Sequence, residues 1–204
     1  MILTKSGIKK VNLDQLIKGR ITGSKTDTFL LVVPTNRKVR HLKKEFIKLA
    51  PGKAIAGINI ETIGTLSTKL LSENVSKISL VSEAASSVLL KQSFAEADLN
   101  YFINYKHEIP QGTLDRIKSV LKEYKRHGIS PLLLENEAEK LDSSEKKKAI
   151  DIARIYKIYK EKFSNLNVYE TGDIYGELNK LGAKKTVESL NKVYPSIDLI
   201  IFSG

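Results

Sequence analysis

The sequence predicts an α/β protein in which a parallel sheet is interrupted by a long helical insertion. Three observations carry this. Two strand–turn–helix units follow one another between Phe29 and Asn74, the pattern of an open parallel sheet rather than a bundle or barrel. From Ser82 to Val193 apolar residues recur at helical spacing, with few strand signals. The apolar run SIDLIIFSG (196–204) then returns as a strand. The expected division is an α/β domain from 1–81 and 194–204, with a helical subdomain over 82–193 inserted into it. A chain finishing on a buried strand with no following layer reads as the N-terminal piece of something longer.

The elements are justified in order. NLDQLIKG (12–19) is helix-like. Phe29 to Val33 is a short apolar, mostly β-favouring run stopped by Pro34, which reads as a buried strand. Thr35 or Asn36 can cap the next helix. There Val39, Leu42, Phe46 and Leu49 form one stripe beside a basic face, and Pro51-Gly52 stops it. A second strand is expected around Ile58–Thr62, then a polar turn over Thr62–Thr65 and a helix carrying Leu66, Leu70 and Leu71. Helices follow over 82–99, with Ser82 as cap, and over 112–128, with Leu114, Ile117, Leu121 and Tyr124 on one stripe and Gly128 closing it. Further helices are expected over 132–141, 145–163, 172–181 and 186–193. In the 145–163 helix Ile152, Tyr156, Tyr159 and Phe163 share or adjoin one face.

Composition narrows the chemistry. The 204 residues carry 34 Lys+Arg against 23 Asp+Glu, a net charge of +11, and no cysteine. Disulfides, thiolate metal sites and cysteine nucleophiles are therefore excluded. His41, His107 and His127 lie far apart in sequence, so no metal site is expected. No signal peptide is recognisable and nothing nears the roughly 18 consecutive apolar residues of a membrane span. A soluble, cytoplasmic protein without a membrane partner is expected. The positive surplus is concentrated in NRKVRHLKKEFIK (36–48), RIKSVLKEYKR (116–126) and EKKKAIDIARIYKIYKEK (145–162). Such runs suit a polyanionic partner or are simply solvated helix faces.

No catalytic motif emerges. GRITGSKT (19–26) approaches a phosphate loop, but Ser24 replaces its second glycine and a helix-like stretch precedes it where a strand is required. Lys25 and Thr26 are the residues a nucleotide would use were this a working loop; a surface turn is the other reading, and no cofactor is expected. Asp14, Asp27, Glu45, Glu61, Asp115, Glu123, Asp173 and Asp198 show no metal-ligand spacing. The stronger constellation is a pair of turns after strands, PTNRK (34–38) and ETIGT (61–65). In a parallel sheet both lie at the carboxyl edge, where ligands bind. Thr35, Asn36, Thr62 and Thr65 offer hydroxyl, amide and backbone donors, and Arg37, Lys38 and Arg40 add charge suited to phosphate oxygens. Plain helix capping by Thr35 and Thr62 is the alternative.

FLLVVPTNRKVRHLKKEF (29–46) followed by INIETIGTLSTKLL (58–71) resembles the N-terminal region of the AddB/RexB type of helicase–nuclease subunit, a family derived from superfamily 1 helicases. Thr35, Asn36 and Arg37 match a Thr-Asn-Lys-like motif, and Thr62, Thr65 and Leu66 match a Thr-x-His-Ser-Leu-like motif with Gly64 where histidine is common. The middle of the chain is similar to the family as well. IPQGTLDRIKSVLKEYKRHGISPLLL (109–134) carries its Glu-x-Lys-like core and Gly-Ile-x-Pro turn, and KAIDIARIYKIYKEKF (148–163) its Lys-x-x-Asp helix. The resemblance, covering Phe29 to Gly204, implies a RecA-like (P-loop NTPase-like) parallel sheet with a large inserted helical subdomain. It also implies contacts of both motifs with the backbone of single-stranded DNA. Ser203 and Gly204 stand where helicases carry the Asp-Glu of the ATPase site, which implies lost ATP hydrolysis. The family's PD-(D/E)xK nuclease lies beyond these residues.

The expected function is a non-catalytic helicase-like domain that holds single-stranded DNA through Thr35, Asn36, Arg37, Lys38, Arg40, Thr62 and Thr65. It would work beside an AddA-like helicase subunit in double-strand-break repair and recombination, in an ATP-dependent helicase/nuclease. A protein–protein scaffold and a cryptic nucleotide-binding ATPase are the alternatives.

Overall fold

Phe29, Leu30, Leu31, Val32 and Val33 are all buried. A strand without polar alternation must be covered on both faces, as strands of parallel sheets are. In the computed structural model, which describes residues 2–4, 7–9, 13–50, 52 and 54–203, this run is the central strand β3 (Phe29–Val33) of a three-stranded parallel sheet. Its neighbours are β4 (Asn59–Thr62) and β5 (Leu199–Phe202), in the order β4-β3-β5. The expected helix stop at Pro51 and the final Gly204 lie outside the described residues. The chain divides into two compact units: Met1–Asn74 with Gly182–Gly204, and Val75–Leu181.

The first unit begins with an antiparallel hairpin, β1 (Ile2–Thr4) and β2 (Gly7–Lys9), for which the sequence offered no signal. Helix α1 (Leu13–Thr22) follows. One face of the sheet, formed by Phe29, Leu31, Val33, Ile60 and Ile201, makes a core with Ile17 and Ile21 of α1 and with Phe46 of α2 (Asn36–Leu49). Val39 and Leu42 pack against it, whereas Leu49, the fourth residue of the expected stripe, is 41% exposed. The opposite face carries Leu30 and Val32. Helix α3 (Ile63–Ser72) is tied to that side by the Lys69 Nζ–Glu61 Oε1 ion pair at 2.6 Å and buries Leu66, Leu70 and Leu71. The polar turn expected over Thr62–Thr65 is absent as a separate feature, because Thr62 ends β4 and caps α3 directly.

The second unit is helical: α4 (Glu83–Glu96), α5 (Gln111–Arg126), α6 (Pro131–Ala138), α7 (Ser143–Leu166) and the first part of α8 (Thr171–Val193). Ser82 caps α4 and Ser130 caps α6 through their hydroxyls. Gly182 (φ 77°, ψ 167°) interrupts α8 with a conformation open to glycine. Leu90, Phe94, Leu114, Leu121, Ile155, Tyr156, Tyr159 and Phe163 share the core. Tyr156 and Tyr159, which sequence places among lysines, are thus interior residues. Burial, reinforced by Glu170, pushes the Tyr159 hydroxyl far above its usual range.

Two buried polar networks fix this unit. The ammonium of Lys125 bonds Glu170 and Asp173, both at 2.8 Å, and lies 4.0 Å from the Phe163 ring centroid. Tyr159 and Ser86 each donate to the remaining Glu170 oxygen, at 3.0 and 2.9 Å. The backbone approaches closely here: a Cβ on Gly172 would lie 2.5 Å from that of Lys125. Asp151, fully buried, accepts hydrogen bonds from the backbone N–H groups of Asn100, Tyr101 and Phe102. Lys125→Met would leave the buried Glu170 and the half-buried Asp173 without their cation and should cost about 3–5 kcal/mol. Gly172→Ala should cost about 1–3 kcal/mol through overpacking. Urea unfolding followed by far-UV circular dichroism measures both; unaltered midpoints would refute the roles given to the two residues.

Candidate nucleic-acid interface

The parallel register sets the geometry of the sheet's carboxyl edge. Val33 pairs with Thr62, so β3 and β4 end side by side, with neighbouring strands about 4.8 Å apart. Each is followed at once by a helix. Thr35, extended at φ −139° and ψ 151°, caps α2 by accepting from the N–H of Lys38 at 3.2 Å. Thr62 caps α3 through a reciprocal box: the Thr65 N–H donates to Thr62 Oγ1 at 3.2 Å and the Thr62 N–H to Thr65 Oγ1 at 2.9 Å. Two helix N-termini, with their unpaired N–H groups and positive dipole ends, therefore open from adjacent points of one edge.

The sequence-derived residues are distributed along this edge. Thr35, Asn36, Arg37, Arg40 and Thr65 are exposed, and Lys38 and Thr62 are half-buried. Lys38 reaches across to the end of β5, its ammonium 3.1 Å from Ser203 Oγ, while the Ser203 N–H bonds the Val32 carbonyl at 2.9 Å. All three strand ends thus contribute to one row. Among the described residues no carboxylate forms an ion pair with Arg37, Arg40, Lys43 or Lys44, and α2 has no acidic residue in its first turn. Beneath the row a groove of about 210 Å³ opens between α1 and α2, floored by Leu31, Leu42 and Phe46.

The basic run on α5 behaves differently. On α5, Lys118 and Lys122 bind Glu83, Lys125 is interior, and Arg126 binds Glu123. These four cations are paired within the helical unit, Lys125 in its interior and the other three at its surface. The other sequence candidates are also accounted for. In GRITGSKT, Gly19 to Thr22 belong to the end of α1, and the Thr26 hydroxyl is buried and donates to the Ala56 carbonyl at 2.7 Å. Lys25 is exposed and precedes a single 3-10 turn (Thr26–Thr28) that runs straight into β3, so no α-helix N-terminus faces an anion there.

Glu61, one residue before the Thr62 cap, is held within the sheet. Burial alone would raise its carboxyl, but the Lys69 ammonium, bonded at 2.6 Å, and the hydroxyls nearby outweigh that and hold it below its ordinary value of 4.5. Lys69 shows the mirror image: burial lowers its ammonium, and Glu61 more than reverses this. The Tyr194 ring lies under Lys69, 5.7 Å from centroid to Nζ, and its hydroxyl is within electrostatic reach of the pair without completing a hydrogen bond of normal geometry. A depressed carboxylate stabilises the fold above its unfolded pKa and loses that contribution as pH falls through the folded value. Glu61→Gln should therefore flatten the fall in stability below about pH 4.5 by up to about 1 kcal/mol. On the alkaline side the pair holds until pH passes the raised pKa of Lys69. Unfolding free energies of the two proteins between pH 3 and 7 measure the acid limb, and parallel curves would remove Glu61 from the account.

No curated protein matches the chain. The family model for the N-terminal region of AddB matches residues 1–191. With nearly all of its length within that match, the chain belongs to the AddB N-terminal domain family.

Proposed function

We propose that this chain is a non-catalytic, RecA-like domain that binds the sugar–phosphate backbone of single-stranded DNA at the carboxyl edge of its sheet. The helical unit is read as an insertion into that domain. The observation that carries the reading is the pairing of Val33 with Thr62, which aligns two capped helix N-termini beside Arg37 and Arg40. Hydroxyls, backbone N–H groups and guanidinium groups without carboxylate partners suit phosphate oxygens and read no sequence. Family membership supports a role in the helicase–nuclease machinery of DNA repair and recombination, with an AddA-like helicase subunit as partner.

Loss of ATP hydrolysis is supported by two features. Ser203, bonded to Lys38, stands at the end of β5 where an ATPase needs a carboxylate, and the GRITGSKT segment has its threonine committed to a backbone carbonyl. A contact with a protein partner is favoured by one separate observation. β5 is an edge strand whose Ile200 and Phe202 are 37% and 69% exposed.

Arg37→Ala with Arg40→Ala should weaken binding of the intact chain to oligo(dT). The slope of log K against log salt should fall by about 1.4, roughly 0.7 for each single-strand phosphate that the two guanidinium groups no longer neutralise. Lys38 is left in place because it holds Ser203. Fluorescence anisotropy titrations at several salt concentrations measure this, and an unchanged affinity and slope would refute the assigned edge.

A further inference from the structure

We propose that Tyr101, in the helical unit, is a stacking platform for a base of single-stranded nucleic acid, with Lys148 beside it to meet the strand's phosphate. The inference rests on the reading of the chain as a single-strand binder and adds a second surface, of a different chemistry, to the backbone-binding edge of the sheet.

The loop that presents Tyr101 is fixed from below. Both oxygens of Asp151 accept from the Asn100 N–H at 3.0 Å, and Oδ2 also accepts from Tyr101 at 2.7 Å and Phe102 at 2.9 Å. A fully buried carboxylate is satisfied by three backbone donors, and three consecutive residues are held to α7 as a result. Phe102 turns inward, 6% exposed, and meets Phe94 edge-on at 6.0 Å. Tyr101 turns outward and is 47% exposed, with its ring standing at 81° to that of Phe102 at 4.9 Å. An exposed ring would ordinarily be mobile. This one has an aromatic buttress behind it and a clamped backbone beneath it, so little entropy remains to be lost on stacking.

The surroundings select the ligand. Every other tyrosine is buried or half-buried. The Lys148 ammonium lies 5.9 Å from the Tyr101 centroid, and Lys147 adjoins it in sequence. Asp151 is occupied by backbone N–H groups, and Asp98 pairs with Arg154, which binds its carbonyl at 2.8 Å and its carboxylate at 3.3 Å. Glu145 stands one turn before Lys148, and among the described residues neither Lys147 nor Lys148 forms an ion pair with a carboxylate. An aromatic face next to unneutralised cations is the composition that single-strand binders use, the ring taking a base and the cation a phosphate. A protein partner would need contiguous apolar area, and within this loop Ile103 is the one other exposed large apolar side chain among the described residues.

The sequence contains no tryptophan, so Tyr101→Trp makes a sole reporter. Its emission should be quenched by oligo(dT) and left unquenched by an oligonucleotide of equal length lacking bases. In anisotropy titrations Tyr101→Ala should bind oligo(dT) about tenfold more weakly, a loss typical of one stacked base. It should bind the base-free strand like wild type, and Tyr101→Phe should bind both normally. Absence of quenching, equal affinity of Tyr101→Ala for oligo(dT), or equal weakening towards both strands would each overturn the platform. Quenching by a protein partner in place of DNA would do the same. If Arg37→Ala with Arg40→Ala leaves binding intact while Tyr101→Ala weakens it, the sheet edge fails and the platform stands. Failure of the wild-type chain to bind either strand overturns both.

Discussion

The pairing of β3 on both sides is the constraint from which the candidate site follows. Parallel strands cannot be joined by a tight turn, so each connection must cross over through a helix. The β3–β4 connection is α2. The β4–β5 connection begins with α3, runs through the whole helical unit, and returns along the last part of α8. Because all three strands point the same way, each strand end lies at the same edge. The register then decides which residues meet there: Val33 beside Thr62, and Val32 beside Phe202. A slip of one residue would invert Thr62 and destroy the cap it provides.

The second organising factor is how the surplus positive charge is divided. The sequence shows three basic runs of similar composition. The fold treats them unequally, since α5 uses Lys118, Lys122 and Lys125 to bind carboxylates of α4 and of the 170–173 segment, while α2 leaves Arg37, Arg40, Lys43 and Lys44 without such partners among the described residues. Net charge therefore overstates the positive surface, and only placement tells a structural cation from an available one. Lys125 is the extreme case. Three elements are joined through it, and truncating a partner would cost far more than the interaction contributes relative to an apolar filling.

Local signals were legible and long-range ones were not. The apolar run of β3, the caps Thr35, Thr62 and Ser82, and the stripe of α5 follow from neighbours within a few residues, and each forms as expected. The kink at Gly182 sits between two helices anticipated separately. By contrast, the bonds from Asp151 to residues 100–102 and from Lys125 to Glu170 span some fifty residues of sequence. Both lie inside motifs by which the chain resembles its family, Lys-x-x-Asp and Glu-x-Lys, yet their role is to hold the fold. Tyr101 is silent in the sequence for the same reason. Its exposure depends on Phe102 turning inward, and nothing in the order Asn-Tyr-Phe-Ile says which aromatic will do so. Tyr156 and Tyr159 were legible in the same way as the stripe of α5: they share a helical face with Ile152 and Phe163, and that face is the buried one although lysines surround them in sequence.

Capping and ligand binding looked like rival readings of the threonines, and the hydrogen-bond geometry separates them. A threonine hydroxyl has one proton to give and two lone pairs. Thr35 uses a lone pair for the Lys38 N–H, which leaves its proton to point away from the helix. Thr65 both accepts from the Thr62 N–H and donates to the Thr62 carbonyl, and the two hydroxyls lie 3.1 Å apart. That pair is largely satisfied within itself, and its first task is to start α3 at the strand's last residue. Thr35, exposed beside Arg37 and Arg40, retains donor capacity while it caps. On this division Thr35 and the two guanidinium groups are the ones with capacity left for an anion, and the Thr62–Thr65 box supplies the rigid shoulder that keeps α3 in register beside them.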